Sequence, residues 1–174
     1  MTESRAYREE PVDIGVTEAS ADVRGDYRYT LTRTWDSSAE PLVLILLNPS
    51  TADASQDDPT IRRCIGFAKR WGFGGIVVVN LYAYRATKPR DMLAADDPVG
   101  PDNDRIIAEV VDGNTVVAAW GTNARRERVA EVLELIPRTT QLLALEITKN
   151  GHPRHPLFVL GEAQPVPWPA LLSS

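Results

Sequence analysis

The chain has 174 residues, 43% hydrophobic and 25% charged, a composition that suits one globular domain with a sizeable core. A net charge of −5 argues against a broad basic footprint on nucleic acid, though not against a local basic patch. One cysteine excludes an internal disulfide and a multi-cysteine zinc site. No apolar run reaches the roughly 20 residues of a membrane span. The polar, acidic start MTESRAYREE is no secretory signal, so a cytoplasmic protein with no membrane partner is expected.

Residues 1–24 mix Gly, Pro, Ser, Thr and charges with weak periodicity, which predicts a poorly ordered or surface-draped segment. Residues 25–174 then read as a single α/β domain. Tyr27 to Trp35 alternates, with Tyr27, Tyr29, Leu31, Arg33 and Trp35 on one face of a half-buried strand. Leu42 to Leu47 is short and continuously apolar, as in a strand buried on both faces. Asp58 as N-cap and Pro59 as first residue start a helix whose stripe is Ile61, Cys64, Ile65, Ala68 and Trp71. Gly72 ends it. Ile76 to Val79 is the next buried strand, running into Asn80, and a long loop covers 82–100. A helix with Ile106, Ile107, Val110 and Val111 follows, then a strand at 115–120, a helix at 123–136 and a strand at 142–146.

Strands alternating with helices predict a three-layer, mostly parallel α/β sheet with helices on both faces. The strand starting at Tyr27 is expected to add antiparallel at an edge. In such sheets ligands bind at the carboxyl ends of the strands. The buried runs end in Asn48-Pro-Ser-Thr51, Asn80-Leu-Tyr-Ala-Tyr84, Gly121-Thr-Asn123 and the stretch reaching Gly151-His-Pro. If the strands are parallel, these segments share one cleft.

Each candidate has a functional and a plain structural reading. Asn48 can orient a water or substrate through its amide, or can simply make an Asn-Pro turn. Asn80 can meet a base edge, or cap a neighbouring loop. Asp58 has a job as helix cap, whereas Asp57 is free to act as a general base or to be solvated. Both histidines of the chain lie in Gly151-His-Pro-Arg-His-Pro156. They offer acid/base or hydrogen-bonding work, or a stiff structural turn. A metal clamp lacks a third ligand of the same kind, and no metal or cofactor is expected. Arg85, Lys88, Lys149 and Arg154 can form a phosphate-binding rim, or a solvated surface.

Tyr29 to Trp35, Leu47-Asn-Pro-Ser-Thr-Ala52, Asp57-Asp-Pro-Thr-Ile-Arg-Arg-Cys64, Val79-Asn-Leu-Tyr-Ala-Tyr-Arg-Ala-Thr87, Asp97-Pro-Val-Gly100, Trp120-Gly121 and Thr148 to Leu157 together resemble the bacterial and phage family DUF1643. The layout is also similar, more distantly, to the uracil-DNA glycosylase superfamily. There a motif ending Asn-Pro-Gly/Ser activates water, a later strand ends in a base-recognising Asn, and a His-Pro-Ser loop supplies a His to the base carbonyl. That resemblance implies a uracil-DNA-glycosylase-like fold and cleavage of an N-glycosidic bond. It implies a modified or damaged base as substrate, in nucleic acid or a nucleotide. Asn48 and His152 become the expected catalytic residues, and Asn80, Ser50, Thr51, Tyr82, Arg85, Arg154 and His155 the expected base- or substrate-binding ones. The alternatives are a non-catalytic nucleotide- or nucleic-acid-binding module, or a nucleotide-modifying enzyme of other chemistry. The oligomeric state is left open.

Overall fold

The computed structural model describes residues 9–13 and 15–169. In chain order the elements are β1 (Glu10–Pro11), β2 (Glu18–Arg24), β3 (Tyr27–Thr34), β4 (Pro41–Leu46), β5 (Gln56–Asp57), α1 (Pro59–Arg70) and β6 (Gly75–Asn80). They continue with α2 (Pro89–Leu93), α3 (Asn103–Val111), β7 (Thr115–Ala118), α4 (Arg126–Leu135), β8 (Leu142–Ala144), a 3-10 turn (Pro156–Phe158) and β9 (Val166–Pro167). The loop expected over 82–100 thus contains the short helix α2.

The main sheet has seven strands in the order β2-β3-β6-β4-β7-β8-β9. Its centre, β6-β4-β7-β8, is parallel. The pairings β2-β3, β3-β6 and β8-β9 are antiparallel. The sheet is therefore mixed, a parallel centre with antiparallel flanks, rather than mostly parallel. β4 shows why the centre is parallel. Leu42, Leu44 and Leu46 pack on one face with Ile61, Cys64 and Ala68 of α1. Val43 and Ile45 pack on the other with Ile107 and Val111 of α3 and Val132 of α4. A strand covered by helices on both faces has no polar side, so an uninterrupted apolar run is what it requires. Each such side chain contributes about 1.5–3 kcal/mol by leaving water.

α1 starts and stops where its sequence dictates. The Asp58 carboxylate accepts from the Ile61 N–H at 2.9 Å, with Pro59 in the first turn. Past the last turn Gly72 sits at φ +84°, a left-handed position that closes the helix. Cys64 is wholly enclosed on the helix's inner face, and burial raises its thiol pKa far above the ordinary value.

Two expectations for the N-terminal side are corrected. Residues 18–24, expected to drape over the surface, form β2, the outermost strand, in a hairpin with β3. Glu10–Pro11 pairs with β5. Residues 1–8 and 14 of that segment lie outside the described residues. β3 is antiparallel as expected but is not an edge, because β2 covers its outer side.

The one-face reading of β3 also fails, and this matters for function. Asp22 pairs with Thr30 but Val23 pairs with Arg28, so Tyr29 is the extra residue of a β-bulge. A slip of one residue exchanges the two faces of a strand. On the Thr34 side of the bulge, Leu31 packs against the α1 layer. On the other side Tyr29 packs with Ala83 and Ile106 of the α3 layer. Arg28, which strict alternation would place opposite Leu31, instead bonds the Ala52 carbonyl beneath α1.

Candidate active-site cavity

From β4 the chain passes through α1 to β6, and from β6 through α3 back across β4 to β7. The segments leaving β4 and β7, which are neighbours in the sheet, therefore head to opposite faces. A crevice must open between their carboxyl ends. A cavity of about 700 Å³ lies there, within the range of small-ligand sites. Leu46, Leu47 and Asn48 border it from β4, and Trp120 to Asn123 from β7. Asp58 to Ile61 of the α1 start and Arg154, His155, Leu157 and Phe158 of the C-terminal loop form other walls.

Asn48 is held in one orientation. Its Nδ2 donates to the carbonyls of Ala86 at 2.8 Å and of Pro49 at 3.1 Å. Two carbonyl partners fix which end of the amide is nitrogen. They leave Oδ1 as an acceptor with no protein partner among the described residues.

His155 is also fixed. Its Nδ1 accepts from the Leu157 N–H at 3.3 Å, so the ring proton is on Nε2 in the neutral form. Burial lowers its pKa from the ordinary value, with the Asp58 carboxylate opposing. His155 thus lines the cavity as a neutral imidazole protonated at Nε2. Gly121, at φ +76°, packs beside it: a Cβ there would lie in van der Waals contact with the His155 Cβ at 3.4 Å. Phe158 follows on the rim, 75% exposed.

Of the other expected residues, Ser50, Thr51 and Arg154 line the cavity. Arg154 also pairs with Glu146 at 3.2 Å. Arg85 lies in an adjoining pocket that shares Ser50 and Thr51, near their carbonyls at 3.4 and 3.5 Å. His152 does not reach the cavity. It is exposed on the turn before it, with its backbone N–H bonded to Thr148 Oγ1. Tyr82 is packed in the α3–α4 layer, its hydroxyl accepting from the Arg125 N–H. Asn80 is enclosed beside Leu46 in the sheet, and its side-chain nitrogen and oxygen have no hydrogen-bond partner among the described residues. Asp57 is not a free base: it is buried against Arg33 at 2.9 Å. Burial raises its carboxyl pKa and the Arg33 ion pair opposes that.

Asp58, Phe158 and Arg28 are among the cavity residues not singled out from sequence as site residues. Asp58 faces the cavity, with its oxygens engaged by the Ile61 N–H and, at 3.4 Å, the Ala52 N–H. Phe158 offered no signal beyond being apolar after a proline-rich loop. Arg28 lines the cavity while only 2% exposed. Burial pulls its guanidinium pKa down to about 10, against the attraction of Asp58, so it remains a cation near neutral pH.

Among the described residues no group of three or more His, Cys, Asp or Glu could hold a metal ion, and no helix is long and apolar enough to cross a membrane. No curated protein and no solved structure matches the chain. A family model described as "Protein of unknown function (DUF1643)" matches residues 28–157, from the buried Arg28 to Leu157 on the cavity wall, and the chain belongs to that family.

Proposed function

We propose that the cavity binds a modified or damaged nucleobase with its sugar and hydrolyses the N-glycosidic bond, on a sheet related to the uracil-DNA-glycosylase-like folds. One observation carries the reading: Asn48, with Oδ1 left as an acceptor, and His155, a neutral ring protonated at Nε2, line the same cavity. Asn48 accepts a hydrogen bond from water and aims the water oxygen at the anomeric carbon. As the bond to the base breaks, its electron pair moves onto the base. His155 donates to the base oxygen on which that negative charge collects, and a neutral donor at a dry site does so without reorganisation. The attacking water loses its proton to solvent as the sugar hydroxyl forms. Phe158, exposed at the rim, offers a face on which a base stacks.

His155 takes the role that the sequence resemblance gave to His152, because His155 is the one beside the cavity. The resemblance of Leu47-Asn48-Pro49-Ser50 to the water-activating motif supports the part given to Asn48.

The test is release of free base. Oligonucleotides with uracil, 5-hydroxymethyluracil and other modified bases, and a panel of nucleosides and nucleotides, are incubated with the protein. Products are read as abasic sites and as free base by mass spectrometry. Release that is lost in Asn48→Ala and His155→Ala is expected. No release from any substrate, or release untouched by both substitutions, sinks the proposal. Binding without release leaves the non-catalytic module as the better reading, and a product mass other than base loss points to another nucleotide chemistry.

A further inference from the structure

Among the described residues three arginines are almost wholly buried: Arg28, Arg33 and Arg128. Two have carboxylate partners, Asp57 for Arg33 and Asp104 for Arg128. Arg28 forms no ion pair among the described residues. Its Nη1 donates to the Ala52 carbonyl at 2.7 Å, while its Nε is buried with no hydrogen-bond partner. The nearby Asp58 attracts it but makes no hydrogen bond or ion pair with it, its oxygens accepting instead from backbone N–H groups. A buried charge without a partner is costly, and folds retain one mainly where something repays it. Arg28 borders the cavity, and the bulge at Tyr29 turns it to that face. Arg85 adds a second cation from the adjoining pocket, across the shared Ser50 and Thr51.

We infer that Arg28 is the heart of an anion subsite, and that the cavity takes a small substrate whose terminal phosphate pairs with its guanidinium. The inference rests on the cavity being the substrate site, and names the substrate as a nucleoside monophosphate rather than a nucleotide inside a duplex. An enclosed cation suits a terminal phosphate, which enters with the ligand. An internal phosphodiester would have to bring polymer in on both sides. The net charge of −5 fits the same assignment, since long polyanions are repelled while a local cation holds a small one.

Thermal denaturation and calorimetry of the full chain test this with inorganic phosphate, acetate, nucleosides and their 5′-monophosphates. Phosphate is expected to raise the melting temperature and acetate to leave it unchanged. For at least one base, the monophosphate is expected to bind roughly tenfold or more tightly than its nucleoside, as a charge-assisted bond provides. Arg28→Met should erase that preference and keep nucleoside binding. Its melting temperature does not separate the readings, because the Ala52 carbonyl loses its donor and Asp58 its nearby cation in either case. A purely structural Arg28 predicts an unchanged preference. Should Arg28→Met fail to fold, Arg28→Lys gives the same comparison with the charge kept and the planar fork lost, and a weakened preference is expected. Equal binding of nucleoside and monophosphate by the wild type, or an acetate response equal to that of phosphate, overturns the inference. Base release is scored separately. A phosphate preference without hydrolysis sinks only the chemistry, and hydrolysis without the preference sinks only the subsite.

Discussion

The Asn48 side-chain amide donates to the Ala86 carbonyl at 2.8 Å, joining the loop that leaves β4 to the loop that leaves β6. The same nitrogen reaches the Pro49 carbonyl. Asn48→Ala removes both bonds and should cost about 1–2 kcal/mol. Asn48→Asp should cost more, because a carboxylate would face two carbonyl oxygens with no proton to offer. Urea denaturation of the three proteins orders them Asn, Ala, Asp. An Asp variant as stable as the wild type would mean that the amide is oriented the other way.

The Arg33–Asp57 pair is expected to be structural. Asp57→Asn leaves Arg33 buried without a counter-charge and should destabilise the fold by about 3 kcal/mol. Folded protein should still release base at the wild-type rate. A variant of normal stability that has lost turnover would return Asp57 to the role of general base.

His155 makes stability depend on pH in a defined direction. The unfolded chain protonates this ring near the ordinary value of about 6.5, while burial lowers the folded value. Between those two values the unfolded state holds more protons, so the contribution of His155 is complete above 6.5 and is lost as pH falls through the folded value. Denaturation of wild type and His155→Asn over roughly pH 5 to 8 should show curves that converge on the acid side. An NMR titration placing the ring at or above its ordinary value would contradict the enclosed neutral histidine.

Gly121→Ala puts a side chain at φ +76° and against the His155 Cβ at 3.4 Å. The left-handed backbone alone should cost about 1–2 kcal/mol. Because a Cβ at that distance is ordinary packing, the folded fraction should fall while base release per folded molecule stays near the wild-type value, as measured by turnover corrected for the folded fraction.

Phe158→Ala should separate binding from folding. An aromatic that is 75% exposed contributes little to the core, so stability should change by less than about 0.5 kcal/mol. Affinity for a nucleobase ligand should fall several-fold if the ring stacks on it, which calorimetry reads directly.

The parts of the fold legible in the sequence were those set by local chemistry. Apolar runs without a polar face marked β4 and β6, and Asp58-Pro59 marked the start of α1. Asn48 was legible because it follows a buried strand directly. What stayed hidden depended on contacts distant in sequence. His152-Pro153 and His155-Pro156 are locally equivalent. Which ring meets the cavity is decided by the bridge between Ile147 and Pro153 and by the Gly121 N–H on the Pro153 carbonyl. Asp57 and Asp58 are adjacent carboxylates separated in role by Arg33, a residue 24 positions upstream of Asp57. Residues 18–24 do alternate, Ala19, Ala21 and Val23 between polar neighbours, but their apolar side chains are small and give a weak signal; they become a strand because β3 offers them an edge.

The bulge at Tyr29 gives a one-residue gap in this hairpin a defined meaning. A related chain lacking that residue would run β3 in unbroken alternation. Its basic residue would stand two positions before Leu31 and so stay on the α1 side, still bordering the cavity. What would go is the ring that packs with Ala83 and Ile106 in the α3 layer. Within this family, a gap at this point therefore leaves the charge of the cavity alone and marks a change in how the hairpin is anchored.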